Sequence, residues 1–365
     1  MDQATVTVLQ DQLVRAIQAE DVQQADILNA FRRVPRHAFV PVFFDRVSPN
    51  AREWRMASSD QAEWLHKVYT NQPLTISIDP EGYPDSSSSH PGLMARMLQS
   101  VHLRPGSRVL EIGTGTGYNA ALVASLVGAA NVVTIDINAA LLDAARTRIE
   151  RIVGSGVRVL HADGRNLLAN LGLFDALIVT GAHERLEPSW INALAPGGRI
   201  VFNWAQGLIK VMLEAEKVGD SLVGRVCEYG GEFMFLHAGD GVKRPLLPCI
   251  PLELVETTAF QSQLFDDPDF RFFLQIHLPT LGYSLWRKAT GAKVYVVEER
   301  ETHRMLQFFP EKIRGNRSLW KEIQMLYTQF DDLAHPKHTA FTFSCLSEGQ
   351  MTFALNKAIL QQSSL

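Results

Sequence analysis

A glycine-rich turn beside an acidic residue is the feature of this sequence best suited to bind a ligand. The apolar run 108–112 contains Glu111 and leads directly into residues 113–117, where every second residue is glycine. Glycine lets the backbone approach a ligand closely, because no Cβ stands between them. The spacing differs from that of a dinucleotide-binding turn, since Tyr118 stands where that pattern has its third glycine. Without a ligand, the same turn would simply connect a strand to a helix.

Two further carboxylates stand at the ends of apolar runs, where they suit one composite ligand. Asp136 follows Gly117 by 19 residues, close to the spacing at which an acid reaches ribose hydroxyls. We expect Asp163, which precedes Gly164, to accept a hydrogen bond from an adenine amino group, and Glu111 to accept one from an ammonium group. A ligand with an amino-acid ammonium group at one end and a nucleoside at the other is S-adenosyl-L-methionine. We therefore predict this cofactor.

Alternating strands and helices are needed to position these residues. Residues 119–127 are rich in Ala, Leu and Val, as in a helix packed on a sheet, while 132–136, 157–160, 174–180 and 194–202 are typical of strands. Apolar strands that alternate with helices predict a parallel sheet covered on both faces. Ligands of such sheets bind outside the carboxyl ends of the strands, where the turn and the acidic residues fall. The predicted fold class is α/β, with a Rossmann-like, mostly parallel sheet.

Three further segments resemble the protein-L-isoaspartate O-methyltransferases. Residues 31–41 are similar to the amino-terminal signature of that family, and residues 87–91 correspond to its Thr-Ile-Ser-Gln-Pro active-site loop. Residues 174–182 are similar to its Phe-Asp-Ala-Ile-Ile-Val-Thr-Ala-Ala strand. The resemblance covers residues 20–210. It implies a class I S-adenosylmethionine-dependent methyltransferase that esterifies an aspartyl or isoaspartyl carboxylate of a peptide or protein.

The sequence departs from the family pattern at two places. His90 replaces the usual glutamine, and residues 70–85 form a longer segment than in the repair enzymes. The serine-rich loop and the long carboxyl-terminal extension resemble a branch of the family that accompanies the biosynthesis of ribosomal peptide natural products. Members of that branch methylate an aspartate in a cyclised precursor peptide, and the ester can then collapse to a succinimide. General repair of isoaspartate is the alternative within the family.

The serine-rich loop is the expected junction of cofactor and substrate. A carboxylate has a pKa of about 4, so it is ionised at neutral pH and attacks a methyl group without a general base. The protein must orient it and exclude water. By carry-over from the family's loop serine, Ser89 is predicted to orient the carboxylate, with Ser88 and His90 as catalytic neighbours. Without the resemblance, residues 85–89 would be a polar loop that caps the next helix, and His90 could equally bond within that loop.

The complete predicted cofactor site combines the loop, the glycine-rich turn and the ends of the strands. Its members are Ser86, Ser87, Glu111, Gly113, Thr114, Gly115, Gly117, Asp136, Ile137, Asp163 and Gly164. A non-catalytic binding module that keeps a vestigial cofactor fold is the alternative from another class of protein. The intact set of acidic residues and glycines argues against it.

Composition limits the class of partner. The 365 residues carry a net charge of −4 with a pI near 6.3, which argues against a nucleic-acid or membrane surface. A nucleic-acid methyltransferase on the same fold would need a basic face interleaved with aromatic residues. The three cysteines are far apart and lack zinc-ligand spacing, so we expect no metal and a cytoplasmic protein.

Three parts are predicted along the chain. Residues 1–85 form an amino-terminal helical and substrate-cap region, which includes a helix over 25–33. Residues 86–220 form the methyltransferase domain, and residues 221–365 a carboxyl-terminal α+β substrate-recognition domain.

Within the last part, the pattern predicts several elements and a set of recognition residues. The predicted elements are a strand pair over 222–236, a connector over 243–251, strands over 272–278 and 292–298, a helix over 318–333, and a hairpin of 340–346 with 351–355. Some of its aromatic residues are candidates for the wall of a peptide groove. They are Phe265, Phe270, Phe272, Phe273, Trp286 and Trp320.

Overall fold

The computed structural model describes most of the chain. The described residues are 2–48, 53–167, 169–236, 253–256, 262–287, 293–299, 301–309 and 312–356. No helix in these ranges is long and apolar enough to cross a membrane.

The amino-terminal part combines helices with a small antiparallel sheet. Its elements are α1 (Gln3–Gln18), α2 (Ala25–Arg33), β1 (Val42–Arg46), β2 (Trp54–Ser58), α3 (Trp64–Val68), β3 (Leu74–Ile78) and β4 (Pro84–Ser88). The order of the sheet is β2-β1-β3-β4. The predicted helix over 25–33 is confirmed as α2. The prediction missed β4, because its polar serines carry no apolar alternation and its pairing with β3 is irregular.

The middle of the chain supplies most of a nine-stranded central sheet. Its elements are α4 (Pro91–Ser100), β5 (Val109–Ile112), α5 (Tyr118–Val127), β6 (Val132–Asp136), α6 (Ala139–Val153), β7 (Arg158–His161), β8 (Phe174–His183), α7 (Pro188–Ala193), β9 (Leu194–Gln206), β10 (Ile209–Val218) and β11 (Ser221–Val226). Strands β5 to β9 pair in parallel, as predicted. The sheet then continues through antiparallel pairs.

Each face of the central sheet packs against its own core. Along β8, Ala176 and Ile178 join the cluster beneath α1, α2, α4, α5 and α6. Leu177 and Val179 join the cluster beneath α7 and the later helices Pro268–His277 and Arg317–Asp332. This alternation follows from the two-residue period of a strand. Helices therefore cover both faces, and the α/β fold class is confirmed.

The carboxyl-terminal part divides between two sheets. Its elements are β12 (Leu254–Glu256), α8 (Pro268–His277), β13 (Leu281–Arg287), β14 (Lys293–Glu299), β15 (Met305–Phe309), β16 (Lys312–Gly315), α9 (Arg317–Asp332), β17 (Phe341–Cys345) and β18 (Met351–Leu355). Strands β12 to β16 form a separate antiparallel sheet, whereas β17 and β18 extend the central sheet beyond β11. The central sheet thus continues across residue 220, and the proposed domain limits stay a prediction.

Several predicted elements of this part are confirmed and two are wrong. The predicted strand over 292–298 is β14, the predicted helix over 318–333 is α9, and the predicted hairpin is β17 with β18. The strand pair over 222–236 is wrong, because β11 pairs with β10 and β17 instead. The connector over 243–251 lies outside the described residues.

The predicted strand over 272–278 is wrong because residues 272–277 belong to α8 and Leu278 caps its end. Asp267 caps this helix by accepting hydrogen bonds from the backbone of Asp269 and Phe270, and Pro268 stands in its first turn. The aromatic residues of α8 suit a strand by composition, but burial against α9 and β17 selects the helix.

Candidate active site

The three glycines of the turn adopt backbone conformations that other residues avoid. Gly113, Gly115 and Gly117 have φ angles of +99°, +51° and +87°. A Cβ on Gly113 would lie 2.5 Å from the hydroxyl oxygen of Thr180. That hydroxyl donates a hydrogen bond to the Gly113 carbonyl at 2.8 Å, so it ties the turn to the end of β8. The close packing of Gly113 against Thr180 therefore constrains the turn, in addition to the φ angles of its glycines.

Asp136 joins the glycine turn to the end of β6. Its Oδ2 accepts from the backbone N–H of Gly115 at 2.8 Å, and its Oδ1 accepts from that of Asn138 at 2.9 Å. Each carboxylate oxygen has a further lone pair after these bonds, and Asp136 lines the cleft beside the turn. The residue can thus fix the turn and still accept hydrogen bonds from a ligand.

Glu111 lies beneath the turn, with no exposed surface and no place in the lining of the cleft. Its carboxylate accepts from Asn119 Nδ2 at 2.7 Å and from the Thr134 hydroxyl at 2.5 Å. Burial raises the pKa of Glu111 to about 7. The predicted direct contact with an ammonium group does not fit this placement, because the carboxylate has no exposed surface from which to reach a ligand in the cleft.

Asn119 links the buried Glu111 to the cleft, because it bonds to Glu111 and lines the cleft. Because its Nδ2 donates to Glu111, its Oδ1 is left as an acceptor, and that buried oxygen has no hydrogen-bond partner among the described residues. Asn119 itself lines the cleft. Its amide oxygen therefore suits the ammonium group that the prediction had assigned to Glu111.

Asp163 and Gly164 lie at the end of β7. Arg165 holds the Asp163 carboxylate through hydrogen bonds from Nε at 3.0 Å and Nη2 at 2.7 Å, and these bonds hold the pKa of Asp163 below its usual value. A Cβ on Gly164 would lie 2.3 Å from Ile112 Cγ2, so the backbone packs directly on β5. Both residues line the cleft, and the adenine contact of Asp163 stays a prediction.

Arg36 holds the serine-rich strand β4 in place through hydrogen bonds to its backbone. Its guanidinium is fully buried and donates to backbone carbonyl oxygens of β4 and of the segment after α3. The accepting residues are Val68, Thr70, Gln72, Ser88 and Ser89, at 2.8–3.4 Å. Burial lowers the pKa of Arg36 to about 10, so it is still a cation at neutral pH. The sequence placed Arg36 inside the signature, but gave no sign that it binds the serine loop.

His90 is placed as a helix cap, and its catalytic role stays a prediction. Its Nδ1 accepts from the backbone N–H of Leu93 at 3.2 Å, so it caps α4. Its Nε2 lies 3.7 Å from Glu20, and burial lowers the pKa of His90. With one ring nitrogen on the helix and the other towards Glu20, the ring stabilises the loop.

The remaining predicted residues meet around a single cleft, which we call the first cleft. Those that line it are Ser86, Ser87, Ser88, Ser89, Gly113, Thr114, Gly115, Asp136, Ile137, Asp163 and Gly164. Gly117 lies behind it, where a Cβ would meet Ile149 at 3.0 Å. The far side of the first cleft is formed by residues 233–236, which no motif had indicated.

A second cleft lies on the other side of the serines. Its lining residues are Glu20, Pro73, Ser87, Ser89, His90, Leu93, Arg96, Tyr229, Gly230, Gly231, Glu232 and Phe233. Ser87, Ser89 and Phe233 line both clefts. The two clefts therefore meet at the predicted catalytic serine. In the described parts of the chain, no cluster of three or more His, Cys, Asp or Glu is arranged to hold a metal.

The first cleft fits S-adenosyl-L-methionine by its chemistry. The unsatisfied amide oxygen of Asn119, which lines the cleft, suits an ammonium group. Asp136 offers a carboxylate at the strand end where ribose hydroxyls are bound in such sheets. Ser86 and Ser87 stand opposite the turn, since the Ser87 carbonyl oxygen lies 3.5 Å from the Cβ position of Gly115.

Comparison with known proteins agrees with this geometry. A protein-family model for protein-L-isoaspartate(D-aspartate) O-methyltransferase matches residues 8–242. A protein-L-isoaspartate O-methyltransferase from Methanoculleus marisnigri is 32% identical over 58% of this chain and 85% of its own length. One from Vibrio vulnificus is 30% identical over 63% of this chain and 96% of its own length.

A solved structure shows that the fold beyond residue 220 is shared as well. A protein-L-isoaspartate O-methyltransferase that is 20% identical aligns with 95% of this chain and 99% of its own, with a TM-score of 0.58. At 20% identity, the alignment is evidence of a shared fold only. With the family match over residues 8–242, the chain belongs to the protein-L-isoaspartate O-methyltransferase family and is an S-adenosyl-L-methionine-dependent methyltransferase.

Proposed function

We propose that the protein methylates an aspartyl or isoaspartyl carboxylate in a constrained peptide, such as a cyclised ribosomal precursor. The observation that carries this proposal is the meeting of the two clefts at Ser87, Ser89 and Phe233. One cleft offers the cofactor site, and the other offers a separate approach for a peptide. A carboxylate that reaches the serines through the second cleft arrives beside the first.

The protein's own residues would orient the carboxylate in place of deprotonating it. Bound S-adenosyl-L-methionine supplies a methyl group on a positively charged sulfur. The substrate carboxylate is already ionised at neutral pH, so the Ser89 hydroxyl is needed only as a hydrogen-bond donor that aims one oxygen. The buried cation of Arg36 holds the Ser88 and Ser89 backbone in place, and Phe233 limits the entry of water between the clefts.

The methyl ester makes a later step possible without further catalysis. The backbone nitrogen that follows the ester attacks the ester carbonyl, loses its proton and expels methanol, which leaves a five-membered succinimide. In repair the succinimide hydrolyses back towards aspartate. In peptide biosynthesis the succinimide, or a product of its hydrolysis, is the retained modification.

The preference for a constrained peptide rests on the serine-rich loop and on the second cleft, one wall of which comes from residues 229–233. The aromatic residues first considered for a groove do not supply this surface. Phe265, Phe270, Phe272, Phe273 and Trp320 are all core residues, and the side chain of Trp286 lies outside the described part of the structure.

General isoaspartate repair is the second candidate, because the related proteins carry the name of the repair family. A direct comparison at equal concentration separates the two, with a cyclised aspartate-containing peptide against a short linear isoaspartyl peptide. We expect faster mass gain of one methyl group on the cyclised peptide. A preference for the linear peptide would assign the protein to repair, and failure to bind the cofactor in a calorimetric titration would leave only a binding module.

A further inference from the structure

Residues 231–236 cross the carboxyl ends of β8 and β9, and we call them the wall segment. From β8, the Ala182 N–H donates to the Met234 carbonyl at 2.8 Å, and the Leu236 N–H donates to the Ala182 carbonyl at 2.9 Å. These two bonds fix the far end of the wall segment along β8. Its near end is fixed by a side chain of the neighbouring strand.

That side chain is Asn203, which lies beside Ala182 in the pairing of β8 with β9. Its Nδ2 donates to the carbonyl oxygens of Gly231 at 3.0 Å and Val211 at 3.1 Å. Its Oδ1 accepts from the N–H of Phe233 at 3.3 Å. Two of these three bonds go to the wall segment, so the amide acts as a clamp on its backbone.

The burial of Asn203 makes this clamp unusual for a central strand. Asn203 has no exposed surface, and the residues on either side of it, Phe202 and Trp204, are apolar and buried. A buried amide is costly unless it is hydrogen-bonded, and an apolar residue would fill the same space without that cost. The bonds to the wall segment are therefore the specific property that Asn203 adds at this position.

The wall segment carries the partition between the two clefts. Phe233 lines both, whereas residues 234–236 line the first cleft only. The Asn203 bonds flank Phe233 on its own N–H and on the carbonyl two residues earlier. A shift of this backbone would move the aromatic ring that separates the cofactor side from the peptide side.

We propose that Asn203 is a positioning residue for methyl transfer, which sets the passage between the clefts by clamping the wall segment. The proposal rests on the proposed function and deepens it, because it names the element that selects the peptide substrate. Asn203 itself touches neither cleft. It acts through the backbone of Gly231 and Phe233.

Gly231 provides an independent way to move the wall segment. A Cβ at Gly231 would lie 2.8 Å from Leu93 Cδ2 on α4 and 3.1 Å from Met212 Sδ, so an alanine there presses the wall segment against these side chains. A Cβ at the preceding Gly230 would meet no atom of the described residues within 4 Å. The pair Gly231→Ala and Gly230→Ala thus compares the same chemical change with and without pressure on the wall segment.

The test measures steady-state methylation of a cyclised aspartate-containing peptide by the full chain, with separate KM values for peptide and cofactor. We expect Asn203→Ala and Gly231→Ala to lower kcat/KM for the peptide about tenfold or more, while the cofactor KM changes less than about threefold. The loss in Gly230→Ala should be clearly smaller than that in Gly231→Ala. A merely structural role would reduce kcat with the folded fraction and leave the peptide KM unchanged.

The outcomes distinguish failure of the proposed function from failure of the positioning role of Asn203. If the wild-type chain methylates no peptide, the proposed function fails and this inference fails with it. If the wild type is active and Gly231→Ala equals Gly230→Ala, or loses cofactor and peptide affinity together, only the positioning role is overturned. If Asn203→Ala does not fold, the glycine pair decides alone.

Discussion

The cofactor side and the substrate side of the active site differ in how far apart in sequence their hydrogen-bonded residues lie. On the cofactor side, the carboxylates of Glu111 and Asp136 bond to partners 2 to 23 positions away in sequence. On the substrate side, Arg36 bonds to carbonyl groups 32 to 53 positions away. The carboxylate bonds of the cofactor side therefore join neighbouring βα units, while the Arg36 bonds of the substrate side join segments that lie further apart in the chain.

The largest effect is expected where the substrate side relies on one buried cation. Arg36→Met would leave the carbonyls of β4 and of the α3 connection without donors, and should lower the free energy of unfolding by roughly 3–5 kcal/mol. Urea unfolding followed by circular dichroism measures this. Arg32→Met is the matched control, since Arg32 is 44% exposed in its pair with Asp11 and should cost less than about 1 kcal/mol. Equal losses in the two variants would contradict the role of Arg36.

On the cofactor side, Glu111 should make the free energy of unfolding depend on pH. The pKa of Glu111 in the folded protein is about 7, above its ordinary value of 4.5. Between pH 4.5 and pH 7, Glu111 is therefore protonated in the folded protein and ionised in the unfolded chain. The contribution of Glu111 to the free energy of unfolding should therefore fall as pH rises from about 4.5 to about 7, by roughly 3 kcal/mol. Glu111→Gln should remove this decline. Urea unfolding of both proteins at about pH 5 and pH 8 tests it, and parallel pH profiles would contradict it.

Ser89→Ala tests the substrate side without disturbing the fold. Loss of the donor that orients the carboxylate should lower kcat on the order of 10²-fold while cofactor affinity stays nearly intact. Ser88→Ala sharpens the result, because the Ser88 side chain is buried and its oxygen already accepts from Arg36. We expect a smaller kinetic effect there. Full activity of Ser89→Ala, measured by peptide mass gain, would transfer the role to a neighbouring serine.

Asp136→Ala tests the cofactor side directly. The ribose hydroxyls should lose an acceptor and the glycine turn a fixed partner at Gly115, which together should weaken cofactor binding by roughly 1–3 kcal/mol. Asp143→Ala is the control on the following helix, since the Asp143 side chain is 83% exposed and lines neither cleft. Calorimetric titration with S-adenosyl-L-homocysteine measures both variants. Unchanged affinity of Asp136→Ala would remove it from the proposed site.

The sequence predicted the cofactor side well because its signals are local. Apolar runs followed by glycines or acids are read within one βα unit, so β5, β6 and β8 were expected close to where they lie. Composition misled in α8, where aromatic residues typical of strands are held in a helix by tertiary packing. The placement of Glu111 also escaped prediction, because motif spacing does not tell which hydrogen-bond partners surround a side chain.

The wall segment shows a further limit of reading a chain by its motifs. Gly231 and Phe233 carry no recognisable pattern, and Asn203 interrupts an apolar strand without a visible reason. Their relation appears only when β9 and the wall segment are adjacent in space. A buried amide inside an apolar strand was nevertheless a usable signal, since such a residue requires partners that the strand alone does not provide.

The pairing of β17 with β11 has a consequence for how the chain folds. About 115 residues separate the end of β11 from the start of β17. At the usual rates of synthesis, β11 therefore stays an open sheet edge for roughly ten seconds before its partner strand leaves the ribosome. An open edge can pair with another nascent chain, so aggregation competes with folding during this interval. Slowed translation of the final hairpin should reduce the yield of native protein, even though every residue of the first cleft has already been made.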